Sequence, residues 1–180
     1  GGPEVSHADD LPAVASLADY IIAGHGEISF PALCRQLQAQ QHPAEKIIKG
    51  ETRQLSELAS PYPFYSDTDI QQRIIYVEAS RGCPFKCEFC LSSLDITAKP
   101  FPLTEFLAAM DVLYQRGARH FKFIDRTFNL KVDTSVAILA FFLHRLTPDL
   151  YLHFEVIPDH LPERLKTMIQ QFPAGSLQFE

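Results

Sequence analysis

Cys83, Cys87 and Cys90 fall within eight residues, in the run Ser80-Arg81-Gly82-Cys83-Pro84-Phe85-Lys86-Cys87-Glu88-Phe89-Cys90. Thiolate sulfur is a soft ligand, suited to iron–sulfur clusters and to zinc. Three protein ligands on a four-iron cluster leave one iron open, and an open iron can chelate a small molecule. A zinc site is the other chemistry these sulfurs could serve, with His7, His25 or Cys34 as fourth ligand. Zinc sites, however, usually pair their cysteines as two C-x-x-C clips. Cys34 lies apart from the run, on the stripe Phe30, Leu33, Cys34 and Leu37, whose helical spacing assigns it to packing.

A ligand loop needs rigid elements to hold it. Residues 74–79 read as an apolar strand that leads straight into the cysteines. A helix over 104–116 follows, ended by Gly117, with Leu103, Phe106, Leu107, Met110, Leu113 and Tyr114 as its buried face. A second strand over 120–125 leads to a helix capped near Asp133, and a third over 151–157 to a helix from Pro162; a fourth strand begins at Ser176. Strand alternating with amphipathic helix implies parallel strands joined by right-handed crossovers. The cysteine loop then sits at the C-terminal end of a parallel strand, where β/α folds build active sites. Upstream, 19–23 read as a strand, 24–27 as a turn and Ser29 as the cap of a helix to about residue 40. Between 41 and 69 the periodicity fades and Pro43, Pro61 and Pro63 appear among polar residues, the pattern of a linker with one short irregular element at most.

Composition narrows the partners. With 22 acidic against 16 basic residues, a net charge of -6 and no long basic run, binding to nucleic acid or to an anionic membrane is not expected. Small-molecule or peptide substrates and protein partners remain. The longest apolar stretch, 136–143, falls far short of the roughly 20 residues that cross a bilayer, and the opening Gly-Gly-Pro-Glu-Val-Ser has no signal-peptide pattern. Crowded cysteines suit metal binding in a reducing compartment, so the cytoplasm is the expected location.

The C-x-x-x-C-x-x-C spacing, with the aromatic Phe89 before its last cysteine, resembles the signature of the radical S-adenosylmethionine superfamily. The resemblance implies a partial β/α barrel and a 4Fe-4S cluster held by Cys83, Cys87 and Cys90, with S-adenosylmethionine bound to the open iron. It implies cleavage of that molecule to a 5′-deoxyadenosyl radical, with an electron from a donor such as a flavodoxin or ferredoxin. The protein's task is then to aim the radical and exclude water and oxygen. The resemblance also sets the backbone around Phe89 against the adenine, although packing beneath the loop accounts equally well for that side chain. In such a barrel strand side chains alternate between interior and helix side. Tyr76, Glu78 and Ser80 oppose Ile75, Val77 and Ala79, and Tyr151, His153 and Glu155 oppose Leu152, Phe154 and Val156. Asp125, Gln178 and Glu180 would join the polar side to line a cofactor cavity. Glu155 is assigned to that cavity, with a structural hydrogen bond as the alternative; for Asp125, Glu78 and His153 both readings stay open.

Many superfamily members carry Gly-Gly-Glu after the second strand. Here the segment is Asp125-Arg126-Thr127-Phe128-Asn129, similar to the D-x-x-F of cobalamin-dependent members. The first 44 residues resemble the last part of the cobalamin-binding domain of that subgroup, a flavodoxin-like doubly wound fold. There Gly1 and Gly2 would let the backbone approach the nucleotide tail of cobalamin. His25 stands where relatives more often have an acidic residue and reads as a solvent-exposed loop residue. The expected fold is thus α/β: the C-terminal part of a cobalamin-binding domain over 1–44, a linker over 45–69, and strands one to four of a radical SAM barrel over 70–180. The expected function is cobalamin-dependent methylation of an unactivated carbon. Radical rearrangement, cyclisation or oxidation without methyl transfer, and a non-catalytic metal or redox module, are the alternatives. Cut in both domains, the chain is expected to be part of a longer protein and, alone, to bind cobalamin poorly.

Overall fold

The computed structural model describes residue 5, residues 11–90 and residues 97–180. They form a mixed α/β fold in two compact units, Gly1–Leu58 and Ala59–Glu180. In the first unit, strand β1 (Ile21–Ala23) precedes helix α1 (Ser29–Gln38) and pairs in parallel with β2 (Ile47–Lys49), Ile21 beside Ile47. The stretch from 41 onward shows no strand period in sequence because three residues are too few to display one. On α1, Leu33 is buried and Cys34 and Leu37 are half-buried, as the stripe requires, while Phe30 is 59% exposed. Ser29 opens the helix rather than capping it, and its hydroxyl accepts the Glu51 N–H at 2.8 Å. A Cβ on Gly50 would meet the His25 carbonyl oxygen at 2.3 Å, so only glycine fits there. His25, expected in solvent, is half-buried because its backbone is pressed against this turn.

The second unit opens with a 3-10 turn, Tyr62–Phe64, and helix α2 (Asp67–Gln72). A capping box starts α2: the Ser66 hydroxyl accepts the Asp69 N–H and the Asp69 carboxylate accepts the Ser66 N–H. Strand β3 (Ile75–Val77) follows, then the antiparallel pair β4 (Ser80–Gly82) and β5 (Ala98–Pro100), which brackets the cysteine segment. Helix α3 (Leu103–Gln115) stops before Gly117, whose φ of 104° ends it in the left-handed region. Strand β6 (His120–Phe123), helix α4 (Val132–Leu143), strand β7 (Tyr151–Phe154), helix α5 (Glu163–Ile169) and strand β8 (Leu177–Phe179) complete the alternation. Strands β3, β6, β7 and β8 lie side by side in that order, all parallel.

Register and burial agree on which side of this sheet faces the core. Ile75, Val77, Phe121, Phe123, Leu152 and Phe154 are at most 1% exposed, and from α4 Ile138, Leu139 and Phe142 meet the same core. Tyr76, Lys122, His153 and Gln178 form the row across the opposite face, each paired with the next. Among the described residues no helix is long and apolar enough to cross a membrane.

Phe123 is the hub of the core. Its ring centroid lies 4.5 Å from Phe154, 5.5 Å from Phe128, 6.0 Å from Phe106 and 6.2 Å from Phe142. Truncation there removes partners from a sheet strand, α3 and α4 at once. Phe123→Ala is expected to lower unfolding free energy by about 3–5 kcal/mol, read from urea titration by circular dichroism.

Candidate functional site

The cysteine segment leaves the sheet at the end of β3, and hydrogen bonds made by Asp125, Tyr62 and Arg81 together with a turn at Gly82 fix its root. The Asp125 carboxylate, 1% exposed, accepts the Ala79 N–H at 3.0 Å and the Ser80 hydroxyl at 2.7 Å. The Tyr62 hydroxyl donates to the Glu78 carbonyl at 3.1 Å and accepts the Glu78 N–H at 2.9 Å. The Arg81 guanidinium forks onto the Glu78 carboxylate at 2.9 and 2.8 Å, a bidentate pairing that fixes both planes. Gly82 takes φ 93°, and a Cβ on it would fall 1.7 Å from the Thr97 carbonyl oxygen. Glycine just before the first cysteine is therefore a steric requirement of the β4–β5 pair.

Burial acts on two of these groups. It pushes the Tyr62 hydroxyl up to about 12, and it pushes Asp125 from 3.8 up to about 6, the hydrogen bonds it accepts offsetting only part of the desolvation.

Cys83 is half-buried, with its sulfur 3.4 Å from the Thr127 hydroxyl; Cys87 is exposed; Cys90 is half-buried, its N–H donating to the Cys87 carbonyl at 3.1 Å. Among the described residues no three His, Cys, Asp or Glu side chains are gathered closely enough to hold a metal, so the three sulfurs share a loop without converging. In type and number they fit a cluster with one iron left for an exogenous ligand. Cys34 lies in the other unit, half-buried on α1. His7 falls outside the described residues, as do Gly1 and Gly2.

The other expected site residues divide. Phe89 is 94% exposed on the loop, which is not the packing role. Glu155 is half-buried just past β7, and its carbonyl accepts the Phe128 N–H at 2.9 Å. Asp125 does not join the polar row. It has the strand parity of Phe121 and Phe123, on the core side, and its carboxylate turns to the root of the cysteine segment. Glu78 is paired with Arg81, and the His153 ring contacts the Glu180 carboxylate at 3.0 Å, with the Lys122 ammonium 3.6 Å from the same carboxylate. Tyr151 donates to Gln178 in the same layer.

Sequence reasoning passed over Thr127 and Asn129. Asn129, fully buried, accepts the Ile157 N–H at 2.9 Å and donates to the carbonyls of Ile157 and His160 at 2.7 and 2.6 Å, fastening the chain where it leaves β7. Phe128 between them packs its ring against Phe154, centroids 4.1 Å apart and planes tilted by 32°. Polar residues alternating with a large apolar one directly after an apolar strand were the available signal.

No protein-family model matches the chain. Over 127 residues it is 30% identical to the uncharacterized methyltransferase sll1242 of Synechocystis sp. (strain ATCC 27184 / PCC 6803 / Kazusa), an alignment covering 69% of this chain and 23% of that protein. The chain thus spans about a quarter of the length of this relative. Among solved structures it is similar to the radical S-adenosylmethionine methyltransferase TsrM from Kitasatospora setae, with cobalamin and a 4Fe-4S cluster bound. The TM-score is 0.48 at 16% identity, covering 67% of this chain and 22% of that one. A second TsrM structure, with tryptophan substrate and the SAM analog aza-SAM, gives the same TM-score and identity over 24% of its chain.

The buried Asp125 carboxyl makes stability depend on pH. Raised in the folded state, it binds its proton more tightly there than in the unfolded chain, so stability falls as pH rises from about 4 to about 6, by roughly 3 kcal/mol. Asp125→Asn should lack this component. Urea midpoints of both proteins between pH 4 and 7 check it, and parallel profiles would discount the burial account.

Proposed function

We propose that the chain is part of a cobalamin-dependent radical S-adenosylmethionine enzyme, a methyltransferase acting on an unactivated carbon. The observation that carries the reading is the placement of Cys83, Cys87 and Cys90 in one loop just past the end of a parallel strand, behind a glycine that nothing else could replace. The methyltransferase name of the Synechocystis relative supports the reaction class. In this reading residues 70–180, within the second unit, supply the first four strands of a partial β/α barrel of a radical SAM enzyme. Residues 1–44 are the end of a flavodoxin-like cobalamin-binding domain, to which β2, from the stretch 45–69 expected as linker, adds a paired strand.

A bound 4Fe-4S cluster, reduced by the electron donor, would supply the electron that cleaves S-adenosylmethionine to a 5′-deoxyadenosyl radical, and bound methylcobalamin would supply the methyl group. Cys83, Cys87 and Cys90 would hold the 4Fe-4S cluster, and the backbone around the exposed Phe89 would lie against the adenine. Glu155, half-buried beside the loop carried by Phe128, offers its carboxylate to ribose hydroxyls. Asp125 serves the cofactor by holding the root of the loop, and Gly1 and Gly2 admit the cobalamin tail. The partners proposed are a small-molecule or peptide substrate and a flavodoxin- or ferredoxin-type electron donor.

Anaerobic reconstitution is expected to yield one 4Fe-4S cluster, lost in Cys87→Ala and retained in Cys34→Ala. Loss of iron in a folded Cys34→Ala variant would move the ligand set. Glu155→Ala is expected to weaken S-adenosylmethionine binding by about 1–3 kcal/mol, measured by calorimetry on cluster-loaded protein; unchanged affinity removes Glu155 from the site. Transfer of the labelled methyl group of S-adenosylmethionine to substrate by the full-length protein tests the reaction class, and turnover without label in the product would exclude methylation.

A further inference from the structure

We propose that Thr127 is a positioning residue that donates its hydroxyl proton to the Cys83 sulfur and so raises the reduction potential of the cluster. The proposal rests on the cluster reading above. Thr127 is 4% exposed and its Oγ1 lies 3.4 Å from the Cys83 sulfur. Between a free thiol and a hydroxyl either atom can donate. A sulfur that ligates iron is a thiolate without a proton, so the hydroxyl is then the donor.

The two partners are held to each other by the fold. Two residues before Thr127, Asp125 grips Ala79 and Ser80; three residues after Ser80, beyond the obligatory turn at Gly82, comes Cys83. Two residues after Thr127, Asn129 is clamped to Ile157 and His160, and the Leu130 N–H donates to the Thr127 carbonyl at 3.2 Å. The hydroxyl therefore meets the sulfur without a large loss of freedom, in surroundings where little water competes. Cys87, by contrast, is exposed.

Reduction adds negative charge to a cluster and its sulfurs. A hydrogen bond to a ligand sulfur stabilises the reduced form more than the oxidised form, and such bonds are among the determinants of cluster potential. Removing the hydroxyl while keeping the shape should leave the cluster in place and make it harder to reduce.

The experiment is an anaerobic redox titration of the reconstituted protein, followed by electron paramagnetic resonance of the reduced cluster, after iron and sulfide analysis. Thr127→Val is expected to bind the same iron and to shift the midpoint to more negative potential, while Thr127→Ser, which retains the hydroxyl, stays near the unaltered protein. Should Thr127→Val fail to fold, the smaller Thr127→Ala gives the same comparison. A cluster with unchanged midpoint in the variant lacking the hydroxyl overturns the proposal alone. Loss of the cluster in both Val and Ala variants with Ser retaining it also overturns it, because the hydroxyl then serves assembly. No cluster in the unaltered protein overturns the cluster reading and this proposal with it.

Discussion

A carboxylate with almost no access to water joins two strand ends that ladder hydrogen bonds alone would leave free to diverge. Asp125 leaves the end of β6 and reaches 46 residues back in sequence to the Ala79 N–H and the Ser80 hydroxyl. Burying it is costly, as the rise to about 6 records. A neutral side chain of the same size could satisfy those donors less fully, since an amide offers one acceptor oxygen where a carboxylate offers two. From this anchor the chain's path is strongly constrained: Arg81 is drawn onto Glu78, Gly82 turns under Thr97, and Cys83 arrives beside Thr127.

The sheet keeps its two sides chemically separate. The core side is phenylalanine-rich, with Phe121, Phe123 and Phe154 under α3 and α4. The other side is a row of polar groups already engaged with each other: Lys122 and His153 on Glu180, and Tyr151 on Gln178. The short segment 125–129 crosses between the two regimes. Its Phe128 completes the aromatic stack, while Asp125, Thr127 and Asn129 make directed bonds on either side of it. One five-residue connection thereby fastens the root of the cysteine segment and the exit of β7.

How much of this was legible follows from what leaves a period in sequence. The stripes of α3 and α5 and the alternation along β3 and β7 were readable, because burial selects side chains at a fixed repeat. Strands β2, β4 and β5 were not, since three residues such as Ala98-Lys99-Pro100 carry no period. Helix α2 went unread: its capping box, Ser66 with Asp69, stands among prolines and polar residues that read as linker. In the site, the cysteine types and spacing were legible and the mutual placement of the sulfurs was not. The Asp125 bonds were hidden for a physical reason: alternation sets Asp125 on the side of Phe121 and Phe123, but does not say which donors, 46 and 45 residues back in sequence, its carboxylate meets there. Thr127 and Asn129 carried only the faint local mark of polar residues flanking Phe128, and their partners, 44 and 28 residues away, could not be read from it.

The tyrosines before α2 bear on how the sheet meets its surroundings. Among the described residues β3 pairs with β6 alone; on its other side the Tyr65 hydroxyl meets the Tyr76 carbonyl at 3.0 Å and the Tyr62 hydroxyl meets the N–H and carbonyl of Glu78, just past the strand. An unpaired strand border is a template on which a foreign strand can dock and from which fibrils can grow. With phenol groups occupying those positions, the border is closed by side chains instead of by another strand. Removing the two hydroxyls would leave the carbonyls of Tyr76 and Glu78 open to such docking.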